Sequence, residues 1–156
     1  MKLRNVLVII TVIGLVILLP HVQTVFAGKV RGVTDTEVKI GCLVDTSSVA
    51  AYGGIAVGQA FMDYFAYVND QGGIHGRKIK VIVEDNGYFP KTTLPAAKKL
   101  IMKDKVFAIP HCLGSAASWV ILPICMKERV PMFPNGANFK FYHPVRDIIF
   151  IPYASY

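Results

Sequence analysis

The sequence has no arginine cluster and no interleaving of basic with aromatic residues, so its formal charge of +7 describes a solvated surface and not a nucleic-acid footprint. It has no Walker A loop and no G-x-G-x-x-G turn, and Gly114-Ser115-Ala116-Ala117-Ser118 is not a G-x-S-x-G elbow. Cysteine is scarce and odd in number. Cys42, Cys112 and Cys125 have spacings that suit neither a zinc knuckle nor a C-x-x-C redox pair, and three thiols leave at least one unpaired or paired between chains. Cys42 and Cys112 fall near predicted strand ends and would be close if those strands are neighbours. Cys125 reads as a quiet buried thiol in an apolar helical segment. His75, His111 and His143 are irregularly spaced with no recurring carboxylate, so neither a metal site nor a cofactor is expected. Ser115, His111 and Asp85 can be drawn as a hydrolytic triad. A lone histidine at the end of a buried strand is more often a structural hydrogen-bonding group, and no enzyme activity is expected.

The first 27 residues read as a secretory signal peptide. Lys2 and Arg4 form a basic front, residues 6–19 are an apolar run broken only by Thr11 and Gly14, and Val25-Phe26-Ala27 supplies a cleavage site after Ala27. The run falls short of the ~20 apolar residues needed to cross a bilayer, and no cysteine follows the leader to carry a lipid. The expected product is exported, periplasmic or otherwise extracytoplasmic, with no membrane span after cleavage. Removing the two basic leader residues lowers the formal charge from +7 to +5. The remaining residues suffice for one modest domain with its own core.

After a polar lead-in at residues 28–36, apolar alternation predicts a strand over residues 37–44, ending in the polar cluster Asp45-Thr46-Ser47-Ser48. Residues 49–54 read as a loop carrying Tyr52. A helix over residues 55–69 follows, with Val57, Phe61, Tyr64 or Phe65, and Val68 forming one apolar stripe. A second strand at residues 77–84 ends in Asp85-Asn86-Gly87. A helix from Pro90 to Lys103 comes next, its start blurred by Pro95. A third strand at residues 106–110, a small-residue turn at residues 113–115 and a helix over residues 116–127, kinked or interrupted at Pro123, come next. A fourth strand at residues 130–133, a Pro/Asn/Gly turn at residues 134–138 and a short fifth strand at residues 148–151 complete the pattern.

Strands alternating with helices predict an α/β fold: an open parallel sheet, order 2-1-3-4-5, with helices on both faces. A self-sufficient receiver-like or flavodoxin-like domain is the runner-up, but a receiver's acidic cluster is reduced to Asp45 alone. Ligands of such sheets sit beyond the carboxyl ends of the strands, which places the turns at Ser115 and at residues 136–138 side by side. Ser115 reads either as a helix N-cap or as a contact for a carboxylate or phosphate, because helix N-termini offer N–H groups and a favourable dipole.

The ordered set EVKIG, Tyr52-Gly53, NDQGGIHGRKIKVIVEDN, Pro90-Lys91, VFAIPHCLGSAAS and VPMFPNGAN resembles the extracytoplasmic solute-binding proteins of branched-chain amino acid ABC transporters. The match runs from Val33 to about Tyr153. The resemblance implies a type I periplasmic-binding fold of which residues 37–156 form part of the N-terminal lobe, so the chain looks cut short. It implies capture of an amino acid or similar small carboxylate, with an ABC transporter permease as partner of the full-length parent. A ligand-sensing module of a receptor, or a fragment that binds nothing, is the alternative. Carried over by position, Ser115 matches the carboxylate-binding serine, assisted by the Ala116 N–H. Gly136, Ala137 and Asn138 match the second ligand turn, with Asn138 in place of the usual Ser or Thr, and Tyr52 matches an aromatic at the cleft rim. The family's cysteine after the second strand is replaced in the region of Gly87, so its disulfide is not expected.

Overall fold

A computed structural model describes residues 29–136, 138–152 and 154; the leader falls outside them. Strand β1 covers Glu37–Val44, with the expected bounds, and its last five residues are buried. It lies at the centre because it pairs in parallel with two strands, β2 at Lys78–Asp85 and β3 at Ala108–Leu113. β4, Met132–Asn135, adds parallel to β3 and gives the order β2-β1-β3-β4. The expected fifth strand is reduced to a single parallel bridge between Met132 and Ile149. It is held by Met132 N–H to the Ile148 carbonyl at 2.9 Å and Phe150 N–H to the Met132 carbonyl at 3.0 Å. It occupies the fifth position without building a ladder.

β3 runs past the point where its sequence was expected to stop. Pro110 has no N–H for the ladder, yet the strand continues to Leu113 because an extra residue is accommodated as a bulge. Ile40 pairs with Ala108 and Cys42 with His111, while Ile109 pairs with Met132 and Cys112 with Pro134. Three residues of β3 therefore oppose two on each neighbour.

The helices divide between the two faces. α1, Ala51–Asp70, starts four residues earlier than expected. The Asp45 carboxylate accepts the N–H groups of Ser47, Ser48 and Ala50 at 3.1, 2.8 and 2.7 Å, tying down the turn so that the helix begins at once. Gly54 and Gly58 are its buried residues. A Cβ on Gly54 would stand 1.9 Å from the Asp45 carbonyl oxygen, so only glycine permits this approach. The expected apolar stripe is half-buried, and Tyr64 is 62% exposed.

On the opposite face, α2 spans Pro90–Lys98, passes through Pro95 and continues as one π-helical turn over Lys99–Lys103, burying Leu100 and Ile101. α3 spans Ser115–Glu128 without the interruption expected at Pro123. Its buried face of Ala117, Ser118, Ile121, Leu122 and Cys125 packs into a core with Leu43, Ile109, Val130 and Met132, and tertiary packing outweighs the one lost helix bond. The lead-in is fastened to this layer. Arg31 pairs with Glu128 at 2.7 Å and donates to the Ile101 carbonyl at 2.5 Å. Among the described residues, no helix is long and apolar enough to cross a membrane.

Candidate functional site

All four strands point their carboxyl ends to one rim, and short polar bonds join those ends. Asp85 at the end of β2 accepts the Thr46 N–H at 2.9 Å, the Ser47 hydroxyl at 2.5 Å and the Gly87 N–H at 2.9 Å. Partial burial pulls the Asp85 pKa up, but the Ser47 hydroxyl and the two backbone N–H groups outweigh it and hold the carboxyl below its usual range. Gly114, just past β3, donates its N–H to the Asn135 carbonyl of β4 at 3.3 Å.

Gly114, and not Ser115, holds the N-cap position of α3, at φ 98° and ψ 132°. Its positive φ and its contact with the Tyr88 ring favour a residue without a side chain, which leaves Ser115 as the first helical residue. The N-cap reading of Ser115 is therefore replaced. The first helical bond of α3 runs from the Ser118 N–H to the Gly114 carbonyl at 2.8 Å, so the N–H groups of the first turn face the rim. Ser115 is half-buried and Ala116 exposed. A Cβ on Gly136 would lie 2.4 Å from the Ser115 hydroxyl oxygen, which shows the two turns to be in direct contact.

The other expected residues fall differently. Ala137 lies outside the described residues. Asn138 accepts the Lys140 N–H at 2.9 Å and caps a 3-10 turn over Phe139–Phe141, whose Phe141 packs edge-on against Trp119 of α3. Tyr52 stands not in a loop but on the first turn of α1 and is 96% exposed.

Two rim residues went without a role in the sequence: Asn86 was read only as part of the Asp85-Asn86-Gly87 turn, and Tyr88 was not singled out. Asn86 is fully buried, and Tyr88 adopts a positive φ of 62°. The D-N-G sequence signals a turn after a strand but not the contacts these two make 27 residues away.

No triad forms. His111 pairs in register with Cys42 and lies against Phe61 of α1 with ring centroids 5.8 Å apart, while Asp85 is bound to Ser47, Thr46 and Gly87. Burial lowers the His111 pKa to about 4. All three cysteines are free and buried, and burial pushes each thiol up to about 12. Cys42 and Cys112 sit on neighbouring strands at successive register positions, which point to opposite faces. Among the described residues, no group of three or more potential ligands is placed to hold a metal.

The sequence matches the periplasmic binding proteins over residues 37–145, more than two thirds of the chain. The chain belongs to the periplasmic binding protein family. The family is one of periplasmic binding proteins and not of enzymes. No protein of curated function matches it. Among solved structures it is similar to a fatty acid ABC transporter substrate-binding protein from Thermomonospora curvata, with 28% identity and a TM-score of 0.74 over 81% of this chain and 32% of that one. It shares its fold with the branched-chain amino acid transporter substrate-binding protein of Streptococcus pneumoniae in complex with isoleucine, with 23% identity and a TM-score of 0.70 over 77% and 34%. It also shares its fold with a solute-binding protein of an ABC transporter from Rhodopseudomonas palustris in complex with 3,4-dihydroxybenzoic acid, with 23% identity and a TM-score of 0.61 over 76% and 32%. The chain thus spans about a third of the length of these periplasmic binding proteins and corresponds to the first lobe of their type I fold.

Proposed function

We propose that this chain supplies the carboxylate-holding lobe of a solute-binding protein that serves an ABC transporter in the extracytoplasmic space. In this reading residues 1–27 are a leader cleaved after Ala27 and residues 37–156 belong to the lobe. The observation that carries the reading is the Ser115–Gly136 contact: a hydroxyl on the first residue of a 14-residue helix, pressed against the turn of the adjacent strand. A helix N-terminus with an adjacent hydroxyl suits an anion. Support comes from what the relatives' names have in common. Isoleucine, 3,4-dihydroxybenzoic acid and a fatty acid share a carboxylate and little else. A lobe that holds the carboxylate serves all three, and side-chain selectivity then belongs to groups elsewhere.

Ser115 donates its hydroxyl and Ala116 its N–H to the carboxylate, with the Gly136, Ala137 and Asn138 turn closing the second side. Tyr52 is left as an outlying rim residue. The partner is the transporter's permease.

Calorimetric titration of the leader-free chain with L-isoleucine, 3,4-dihydroxybenzoate and decanoate tests this. Ser115→Ala should weaken whatever binding is found by about 1.5–3 kcal/mol, the value of a hydrogen bond to a charged group. Its loss of stability should be smaller than its loss of affinity, since Gly114 and not Ser115 is the cap. Equal affinities for parent and variant would remove Ser115 from the site.

A further inference from the structure

We infer that Asn86 and Tyr88 are positioning residues that hold the Ser115 turn in its binding geometry from the far side of the sheet. The inference rests on the proposed carboxylate site. β2 and β3 are not neighbours, because β1 lies between them. Asn86 nevertheless donates its side-chain N–H to the Leu113 carbonyl at the end of β3, at 2.8 Å, reaching over the end of β1. Its side-chain oxygen accepts the Tyr88 N–H at 3.0 Å, and its backbone N–H donates to the Val44 carbonyl of β1 at 2.7 Å. Its own carbonyl accepts the hydroxyls of Thr92 and Thr93 at the start of α2, at 2.5 and 3.3 Å. One buried residue thereby ties together three strand ends and a helix.

The bond to Tyr88 holds the backbone from which its ring projects. Atoms Cε2 and Cδ2 of that ring stand 3.3 and 3.5 Å from the place a Cβ would take on Gly114. The ring therefore fills the side-chain space of the residue immediately before Ser115. It is 39% exposed, so one side packs on the turn and the other meets solvent. Gly114 is also pinned on its other side by its N–H bond to Asn135. Held between Tyr88 and β4, the turn has little freedom to rotate, and the orientation of the Ser115 hydroxyl follows from it. Preorganisation of this kind raises affinity without touching the ligand.

Two measurements on the leader-free chain decide the inference. The first needs no ligand: amide hydrogen exchange in Tyr88→Ala, Tyr88→Phe and Asn86→Asp. Exchange at Gly114 and Ser118, whose N–H groups are bonded to the Asn135 and Gly114 carbonyls, should accelerate about ten-fold in Tyr88→Ala, a loss on the scale of one packing or hydrogen-bond contact, and the amides of β1 and β2 should keep parental rates. Tyr88→Phe keeps the ring and should behave as the parent. Asn86→Asp keeps the acceptor for Tyr88 but loses the donor to Leu113, and should match Tyr88→Ala if it folds. Parental exchange at Gly114 and Ser118 in Tyr88→Ala overturns the inference.

The second measurement is titration with L-isoleucine, 3,4-dihydroxybenzoate and decanoate. Tyr88→Ala should weaken every probe that binds by the same factor, about ten-fold, and should add less than about two-fold in a Ser115→Ala background. Weakening of one probe alone, or full additivity with Ser115→Ala, overturns a positioning role. A parent chain that binds none of the three probes defeats the carboxylate reading, and the exchange result then decides by itself whether Tyr88 and Asn86 hold the turn.

Discussion

The two faces of the sheet are built on opposite plans. Beneath α2 and α3 the sheet meets large apolar side chains: Leu100, Ile101, Ile109, Ile121 and Met132 are all fully buried. Beneath α1 the contact is made by two glycines, and the polar His111 lies buried beside a half-buried Phe61. The first face is stabilised by the apolar area it removes from water, the second by how closely two backbones approach. Removing atoms should therefore be costly on the first face, and adding them costly on the second.

The largest effect is expected from Ile121→Ala. It opens a cavity under α3 and should cost about 4 kcal/mol, read from the urea midpoint. A loss below 1 kcal/mol would mean that the α3 face is not the main source of stability.

Next comes Gly54→Ala, which adds one methyl group where 1.9 Å separates it from the Asp45 carbonyl. It should cost about 3 kcal/mol despite the better helix propensity of alanine. A neutral result would show that α1 can lift off β1 freely and would erase the contrast between the faces.

The histidine gives a pH-dependent form of the same contrast. Burial lowers the His111 pKa from 6.5 to about 4, and its neighbours from facing elements are Cys42 on β1 and Phe61 on α1. Between these values the unfolded chain binds a proton that the folded one refuses. The stabilising contribution is complete above pH 6.5 and is lost as pH falls to about 4. About 2–3 kcal/mol should disappear over that window in urea titrations. His111→Leu should flatten this part of the profile, and an unchanged slope would assign it to the carboxylates.

The smallest effect is expected at Gly58. A Cβ there would meet Val83 and Val44 side chains at 3.4 and 3.5 Å, ordinary contact distances. Gly58→Ala should lie within about 1 kcal/mol of neutral, on the stabilising side if helix propensity dominates. A melting temperature as low as that of Gly54→Ala would show the whole α1 seam, and not one point in it, to be glycine-dependent.

The packed face was the more legible of the two. Alternation marked β1 to the residue, and the helix expected from Pro90 to Lys103 is there as α2 and its π-helical turn, because apolar side chains carry the periodic signal. The α1 face was legible only in part. Val57, Phe61 and Val68 do form its half-buried stripe and Phe61 packs on His111, but the fully buried residues are Gly54 and Gly58, which a search for large apolar residues counts as gaps. Ends of elements moved where a side chain intervened: Asp45 drew α1 back to Ala51, and the bulge at Pro110 carried β3 on to Leu113. At the rim, Ser115 and Gly136 were visible as turn residues that parallel strands must bring together. Asn86 was visible only as part of the turn after β2 and Tyr88 not at all, since their partners lie 27 or so residues away and obey no period.

The bulge in β3 makes the chain's tolerance of change asymmetric at Pro110. Three residues there span what two span on either neighbour, so His111 meets Cys42 and Cys112 meets Pro134 with one residue to spare. Removing that residue would leave two opposite two, an ordinary ladder in which His111 and Cys112 keep their partners and their faces. An added residue has no such outlet: it would turn both to the opposite face and rotate the strand end that leads to Ser115. Across descendants of this gene, a residue between Ala108 and His111 should therefore be lost more readily than one is gained.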